Sequence, residues 1–475
     1  MQIQIELAQD RFVVQESILA TIRILNDGSA PIDVPDAASN VNWQPVYTIR
    51  GPAFPDGYSF HFRGAALGDR RASPVGVEPD TVRLEAGKSR SVRLAMDQLA
   101  PISKPGEYTL SAKLDWNGVA AESKPVSFRI EQPVFRSFQV AAADGLQSSF
   151  GIRVFCLVGE APNPQLYMAA FHESRPGLGE IGLMSLARIA AADPRAETVF
   201  AAWTNYQGMG TPAPGAGWQA GPVLGLGVFG SAHSPTVTLP EVPRLVRPAL
   251  GDVSGDLDLF ALGDRGASLS LVHFPARGGA PAVVWSQPVP ARVVAARAAI
   301  APQSQGSGRF AVLVTGGESA PGLTLVSAGG GGAPAFRSVP LGDLHPLEAS
   351  EPAIYVGPDG TVHTSALLAT GPDARGLAVV DVAWRPAGDP SVEIGKAIPL
   401  AAGFRAAIAA YSVAGSRRRE WIVLLGDGRL MSSRAPGVER DPTGKPVAPL
   451  DLLPMSSASY LLTLRNGLLQ FEALH

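Results

Sequence analysis

An arginine recurs about every fifty residues, each time ahead of small and branched apolar residues. Arginine forks bind carboxylate and phosphate groups well, so several of them around one axis would attract an anion. We therefore expect an anionic small molecule as a ligand of these side chains. The copies are RPAL at 247–250, RAAI at 297–300, EPAI at 351–354 and RAAI at 405–408, with weaker copies RIAA at 188–191 and SSAS at 456–459.

The first position of the motif allows two chemical interpretations. In the first, it forms a ligand-binding ring, in which Glu351 is the carboxylate able to act as acid or base. In the second, each arginine pairs locally with a carboxylate such as Glu351, Asp252 or Asp427 and ties neighbouring parts of the fold together. The ring would consist of Arg188, Arg247, Arg297, Glu351 and Arg405.

Metal and cofactor chemistry has little support in this sequence. The acidic run GDVSGDLD at 251–258 resembles the calcium loops of integrin-type propellers, and that resemblance implies Asp252, Asp256 and Asp258 as ligands. The run is short and has no copy elsewhere, which favours a solvated turn. The single cysteine, Cys156, excludes a disulfide and a cysteine-built zinc site, and the seven histidines lack metal-ligand spacing. We expect no cofactor.

The period of the motif predicts the elements that carry it. Repeats of this length with short strands indicate a toroidal array, and a four-strand unit follows each copy of the motif. An inner strand poor in bulky residues comes first, as at 296–301. A more apolar second strand follows, at 257–262, 310–314, 421–425 and 460–464. Third strands are predicted at 269–273 and 376–380, and fourth strands at 283–285 and 392–394. We predict a seven-bladed β-propeller, with six or eight blades as alternatives. The blade starts lie near residues 147, 188, 247, 297, 351, 405 and 456.

The last predicted blade has only about three strands before the chain ends. A strand near residues 134–140 would supply the missing outer strand and join the two ends of the ring, which removes exposed sheet edges. This closure requires the propeller to begin near residue 134, which supports a domain junction at Glu131-Gln132-Pro133. The signature residues of the WD40 and kelch repeats are absent, so the resemblance is to the propeller class as a whole.

Residues 1–132 have the strand pattern of a β-sandwich. Apolar residues alternate from Ile18 to Ile24 and again from Tyr108 to Trp116, and turn residues separate about seven short strands. The stretch 84–116 resembles bacterial immunoglobulin-like modules, which implies that fold and no particular activity. The segment 58–63 is either a strand with long loops or a partner-binding edge, because aromatic and arginine residues carry much binding energy at interfaces.

Composition limits the classes of partner. The chain has 475 residues, 17% of them charged, and a formal net charge of -3, so it lacks the basic footprint of a nucleic-acid-binding protein. Its 52 glycines and 42 prolines suit many strands joined by turns. No apolar run is long enough to span a membrane, and no signal peptide is evident. If Met1 is the natural start, we expect a cytoplasmic protein.

These observations leave three functions open. The first is a non-catalytic binding or scaffold protein that uses the propeller disc to hold protein partners. The second is a propeller hydrolase or lyase that acts on an anionic, sugar-like substrate at the arginine-lined mouth. The third is a structural subunit of a larger assembly. The lack of a dense set of ionisable residues favours the first, so we lean away from an enzyme.

Overall fold

The chain is all-β in the computed structural model, and no α-helix occurs among the residues described. The structure describes residues 1–35, 45–61, 81–96, 102–116, 118–142, 152–160, 162–171, 181–183, 186–201, 215–228, 234–249, 256–264, 267–275, 279–290, 292–300, 308–316, 322–329, 332–346, 350–371, 375–400, 403–411, 419–446, 452–454 and 459–474.

The chain divides into two compact units. Unit 1 consists of Met1–Pro133 together with the short segment Ser185–Ala187, and unit 2 consists of Val134–Met184 and Arg188–His475. Unit 1 therefore contains the N-terminal residues up to Pro133.

Unit 1 has two main sheets and a two-stranded ribbon. The first sheet has the order β1-β3-β8 and the second β2-β11-β9-β5-β6, with β10 paired to β9, while β4 and β7 form the ribbon. The strands are β1 (Gln2–Leu7), β2 (Arg11–Val13), β3 (Leu19–Leu25), β4 (Ile32–Pro35), β5 (Val46–Gly51), β6 (Phe54–His61), β7 (Thr81–Leu84), β8 (Ser89–Ala95), β9 (Gly106–Trp116), β10 (Val119–Glu122) and β11 (Val126–Glu131).

Alternation along the strands builds the core of unit 1. Ala20, Ile22 and Ile24 of β3 are fully buried, whereas the residues between them are partly exposed or exposed. On β9, the residues from Tyr108 to Leu114 alternate in the same way. Strand β1 of the first sheet lies against β9, β10 and β11 of the second. The two sheets therefore bury their apolar faces against each other, as in a β-sandwich.

Tyr108 fixes the start of β9 through its hydroxyl. The Tyr108 hydroxyl donates a hydrogen bond to the Lys104 carbonyl at 2.7 Å and accepts one from the Ala53 amide at 3.1 Å. Its ring lies so close to Gly51 that a Cβ there would sit 2.2 Å from it. A glycine at position 51 is therefore required by the close approach of the ring.

Leu186 has its backbone partners within the first twenty residues of the chain. Its amide donates to the Gln15 carbonyl and its carbonyl accepts from the Ser17 amide, and its side chain is fully buried. All strand pairings of unit 2 lie after residue 133.

We expect a chain that begins at Val134 to fold and to unfold in one cooperative calorimetric transition, but to self-associate because Leu186 becomes exposed. In that truncated chain, Leu186→Ser should raise the monomer fraction in light scattering and leave the melting temperature unchanged. A non-cooperative transition would contradict this expectation.

Unit 2 begins with three four-stranded antiparallel sheets. The first sheet consists of β12 (Phe135–Ala142), β13 (Ile152–Val158), β14 (Gln165–Phe171) and β16 (Ala187–Ala191). The second consists of β17 (Thr198–Ala201), β18 (Gly215–Ala220), β19 (Val223–Val228) and β20 (Thr236–Thr238). The third consists of β21 (Pro243–Ala249), β22 (Leu257–Gly263), β23 (Ser268–Phe274) and β24 (Ala282–Pro288).

Four more sheets complete unit 2 among the described residues. The fourth consists of β25 (Val293–Ile300), β26 (Arg309–Thr315), β27 (Gly322–Ala328) and β28 (Ala335–Pro340). The fifth consists of β29 (Leu344–His345), β31 (Ala353–Val356), β32 (Val362–Thr370), β33 (Gly376–Trp384), β34 (Ser391–Ile394) and β35 (Ile398–Pro399). The sixth consists of β30 (Ser350–Glu351), β36 (Phe404–Tyr411), β37 (Arg419–Leu425), β38 (Leu430–Ser432) and β39 (Ala435–Arg440). The seventh consists of β15 (Ile181–Leu183), β40 (Lys445–Pro446), β41 (Leu452–Pro454), β42 (Ser459–Arg465) and β43 (Leu468–Leu474).

The first strands of successive sheets lie side by side. Contacts join β12 to β17, β17 to β21, β21 to β25, β25 to β31, β31 to β36, and β36 to β41. Apolar clusters fill the space between neighbouring sheets, with alternate residues of one strand facing opposite neighbours. This is the arrangement of a propeller-like fold, in which small residues on the inner strands let the sheets converge.

The first and last sheets are joined by a strand that the sequence did not indicate. Strand β15 pairs antiparallel with β43, with Gly182 opposite Phe471. Residues 134–140, expected to close the last sheet from outside, instead form β12, which pairs with β13 as the first strand of the first sheet. The strand that joins the last sheet is β15, which lies in sequence between β14 and β16 of the first sheet.

The first sheet begins earlier than the motif predicts, at Phe135, and the second begins later, at Thr198. Arg188 lies on β16, the outer strand of the first sheet, and the inner strand of the second sheet is β17. Residue 147 lies outside the described residues. The later sheets have their predicted strands: β22, β26, β37 and β42 are second strands, β23 and β33 are third strands, and β24 and β34 are fourth strands.

Candidate functional site

Glu351 binds two arginines of the motif. Its Oε1 accepts a short hydrogen bond from Arg247 Nη2 of the third sheet, and its Oε2 lies 2.5 Å from Arg297 Nη2 of the fourth sheet. The Arg247 and Glu351 side chains are only 12% and 13% exposed, and Arg297 is 24% exposed. The two guanidinium groups thus hold one carboxylate between inner strands that are about fifty and a hundred residues apart in sequence.

The backbone places Glu351 between the sheets. Strand β30, of which Glu351 is the second residue, pairs in parallel with Ala407 and Ile408 of the sixth sheet. The chain returns to the fifth sheet only at Ala353, opposite Ser365. Glu351 therefore joins three sheets: its backbone pairs with the sixth, and its side chain pairs with the third and fourth.

The electrostatic environment keeps Glu351 ionised. Burial on its own would raise the pKa of the carboxyl group, but the charges of Arg247 and Arg297 and the hydrogen bond from Arg247 together hold it below its ordinary value of 4.5. A carboxylate with a lowered pKa is a weak base and is not protonated near neutral pH. It is poorly suited to general acid catalysis.

Arg405 does not occupy the same structural position as Arg247 and Arg297. A β-bulge lies at Arg405, because Phe404 pairs with Leu425 and Ala406 with Leu424. The inner strands of the first, third and fourth sheets have the same irregularity one residue after their start. Counted from the bulge, the residue equivalent to Arg247 and Arg297 is Ile408 in the sixth sheet.

Exposure also separates Arg405 from the other two arginines. Its side chain is exposed and makes no ion pair within the part of the chain that the structure describes. Arg188, on the outer strand of the first sheet, has its guanidinium 5.5 Å from the ring centre of Tyr167, a cation–π contact. The structure thus brings together Arg247, Arg297 and Glu351 and places Arg188 and Arg405 elsewhere.

We expect Arg405→Ala to change the free energy of unfolding by less than about 0.5 kcal/mol, because an exposed side chain is removed. Arg297→Ala should cost about 1–3 kcal/mol, because a mostly buried carboxylate loses one of its two partners. Urea unfolding of the two variants measures this difference. Equal costs would show that the two arginines are equivalent after all.

Asp258 is part of a second polar cluster, between the third and fourth sheets. Its Oδ1 lies 2.8 Å from His273 Nδ1 and its Oδ2 accepts a hydrogen bond of 2.5 Å from Arg309 Nε. Asp258 is 3% exposed, so both of its oxygens are committed in a buried site. Asp256 lies two residues earlier, and Asp252 lies outside the described residues. The described residues contain no group of three or more side chains that could hold a metal ion.

The aromatic segment of unit 1 forms an edge strand. Strand β6 ends the order of its sheet, and Phe54, Tyr58 and Phe60 stack along it with ring centres 5.0 and 5.8 Å apart. Phe60 is buried, while Tyr58 is 38% exposed. The side chains of residues 61–63 are outside the described part, so only the aromatic half of the predicted edge is seen.

Comparison with known proteins gives a likeness of fold and nothing finer. No protein family and no curated protein matches the sequence. Among solved structures, BBS1N in complex with ARL6DN has a TM-score of 0.39 and 11% identity and covers 71% of this chain and 91% of its own. A variant of the Synechocystis apocarotenoid oxygenase has a TM-score of 0.30, 11% identity and coverages of 78% and 85%. Rhamnogalacturonan lyase PL11 of Bacillus licheniformis has a TM-score of 0.24, 11% identity and coverages of 98% and 91%.

One of these neighbours is described as a protein complex, one as an oxygenase and one as a lyase. At such scores the likeness supports no inference about activity. A search of the described residues for a helix able to cross a membrane found none.

Proposed function

We propose that the chain is a non-catalytic binding or scaffold protein, built from an immunoglobulin-like sandwich and a seven-bladed β-propeller. Seven sheets with adjacent first strands, joined end to end by β15 and β43, support the propeller. The hydrogen bond from the Tyr108 hydroxyl to the Lys104 carbonyl supports the sandwich, because a tyrosine that bonds back to the backbone just upstream is a feature of immunoglobulin-like folds.

The ion pairs of Glu351 carry this proposal. The enzymatic alternative needs Glu351 as an acid or base beside the arginines, but both of its oxygens are bound to guanidinium groups. This supports the interpretation in which the motif ties sheets together. The group of Arg247, Arg297 and Glu351 has two positive charges and one negative charge. Because its net charge is positive, it remains our proposed site for a small anion.

Exposed apolar residues on the outer strands support protein partners. Outer strands normally face water, yet Val284 on β24, Val392 and Ile394 on β34, and Val438 on β39 are between 41% and 54% exposed. Apolar side chains on the rim of a disc gain most by contact with another protein. The third, fifth and sixth sheets would then present the binding rim.

Affinity capture of the intact protein from its source cell tests this proposal. A rim variant with Val392→Glu and Ile394→Glu should lose partners that the wild-type protein retains, while Val119→Glu, an exposed valine of unit 1, serves as the matched control. Light scattering measures the molar mass of the purified protein. A mass well above that of one chain would indicate self-assembly and would favour the structural-subunit alternative. Identical capture by the wild-type protein and the rim variant, together with turnover of an anionic sugar that Glu351→Gln abolishes, would overturn the proposal in favour of an enzyme.

A further inference from the structure

The contact between the fifth and sixth sheets changes from apolar to polar at one end. Its apolar part includes Leu367, Val379, Ala409 and Trp421, which face one another across the two sheets. The same alternation continues along the strands into polar and aromatic residues. We call these the seam site: Tyr355, His363, Ser365, Asp381, Tyr411 and Arg419.

One half of the seam site is aromatic. The Tyr355 ring is stacked on the His363 ring, with centres 6.3 Å apart, and lies 5.9 Å from the ring of Tyr411 on the sixth sheet. Tyr355 and Tyr411 lie on neighbouring inner strands, so the pair is at the inner end of the two sheets.

The other half of the seam site is polar and links the fifth and sixth sheets through an ion pair. Arg419, opposite Tyr411 in the sixth sheet, forms a short ion pair with Asp381 of the fifth. Asp381 is directly opposite Ser365, which is two residues from His363 on the same face. Ring contacts, cross-strand pairs and one ion pair thus connect the six side chains into one continuous group.

Two polar atoms of the seam site have no hydrogen-bond partner among the residues that the structure describes. The two atoms are Ser365 Oγ and Arg419 Nε. Both are buried, and the whole of Ser365 has no exposed surface. A buried polar group without a partner costs about 1–3 kcal/mol, so such groups in a native structure need an explanation. At the equivalent position of the sixth sheet, Glu420 accepts two hydrogen bonds from Arg434, at 3.0 and 2.7 Å.

We propose that the seam site binds the ring of a neutral carbohydrate. Arg419 and Asp381 balance each other in charge, which gives no net attraction for an ionic ligand. A sugar hydroxyl can accept from Arg419 Nε while a second one bonds to Ser365 Oγ, and the carbon–hydrogen face of the ring can pack on Tyr355 or Tyr411. Burial raises the pKa of Tyr411, so its hydroxyl stays protonated as a donor.

Binding to the intact protein tests the proposal directly. The probes are the methyl glycosides of glucose, galactose and mannose, with sodium phosphate as an anionic probe, measured by calorimetric titration. We expect saturable binding of at least one glycoside in the millimolar range typical of a small, polar ligand. Tyr411→Ala should weaken it at least tenfold, whereas Tyr58→Ala, the exposed tyrosine of unit 1, should leave it unchanged. Binding of phosphate alone, or of no glycoside, would overturn the proposal.

Ser365→Ala separates a binding role from a structural one. Removing a hydroxyl that has no partner in the free protein should leave the melting temperature unchanged or slightly raised, while glycoside affinity falls several-fold. A lower melting temperature with unchanged affinity would show that the hydroxyl serves the fold and would refute its place in the site.

Discussion

Glu351→Ala should destabilise the protein by about 3 kcal/mol, at the low end of the range for removing one partner of a buried ion pair. The variant leaves Arg247 and Arg297, both mostly buried, facing each other without the carboxylate that separates their charges. The two positive guanidinium groups then repel each other, and each still carries the free-energy cost of its burial. Urea unfolding of unit 2, followed by circular dichroism, measures the loss.

Two controls test whether the loss of stability in Glu351→Ala comes from the buried ion pairs. Asp427→Ala removes a carboxylate that also pairs with an arginine, Arg429, but at a solvent-screened site, and should destabilise the protein far less than Glu351→Ala does. Phosphate should recover part of the stability of Glu351→Ala, because an anion can replace the carboxylate between the two guanidinium groups. If the Glu351→Ala variant is no less stable than the Asp427→Ala variant, the ion pairs of Glu351 with Arg247 and Arg297 do not stabilise the fold.

The same ion pairs predict a pH dependence. The folded-state pKa of Glu351 is lowered, so the folded state binds its proton less readily than the unfolded state does. The stabilisation is therefore complete above the ordinary value of 4.5 and is lost as the pH falls through the lower, folded-state value. Wild-type protein should lose stability in this acidic range more steeply than Glu351→Gln, whose side chain does not titrate.

The sequence predicted the strands well and the junctions between them less well. Alternation and turn residues located β22, β26, β37 and β42 because side-chain burial in a sheet has a period of two residues. The motif at Arg405 was misaligned by three residues, because the β-bulge falls at Arg405 itself in the sixth sheet but three residues before the arginine in the third and fourth sheets. Arg188-Ile189-Ala190-Ala191 resembles the motif by composition but lies on an outer strand.

The candidate site depended on long-range pairing that local patterns do not encode. The sequence named Glu351 as a partner for the arginines, and the structure shows it bound to two of them. The parallel pairing of β30 with the sixth sheet has no signature in two residues. The seam site was missed because its members come from five strands of two sheets, and no spacing along the chain connects them.

Replacing Ile181, Gly182 and Leu183 together by proline should break the pairing of β15 with β43 in unit 2. Proline has no amide hydrogen, so the segment can no longer pair with β43. The three residue pairs are held by backbone hydrogen bonds, each worth about 1 kcal/mol. Their loss also uncovers the edge of the C-terminal strand. We expect the last sheet to separate from the first at lower denaturant than the rest of unit 2 unfolds.

Hydrogen exchange read by mass spectrometry locates the change. In the proline variant, the amides of β43 should lose protection first, while those of β26 in the fourth sheet keep it. The triple alanine variant at the same positions is the matched control, because alanine keeps the amide hydrogens and should retain most of the protection. Exposure of Phe471, which is buried in the native protein, should also make the proline variant aggregate on heating. Uniform loss of protection across all the sheets would instead mean that unit 2 unfolds as a single cooperative body. Unchanged protection of β43 would show that its pairing with β15 does not stabilise the last sheet.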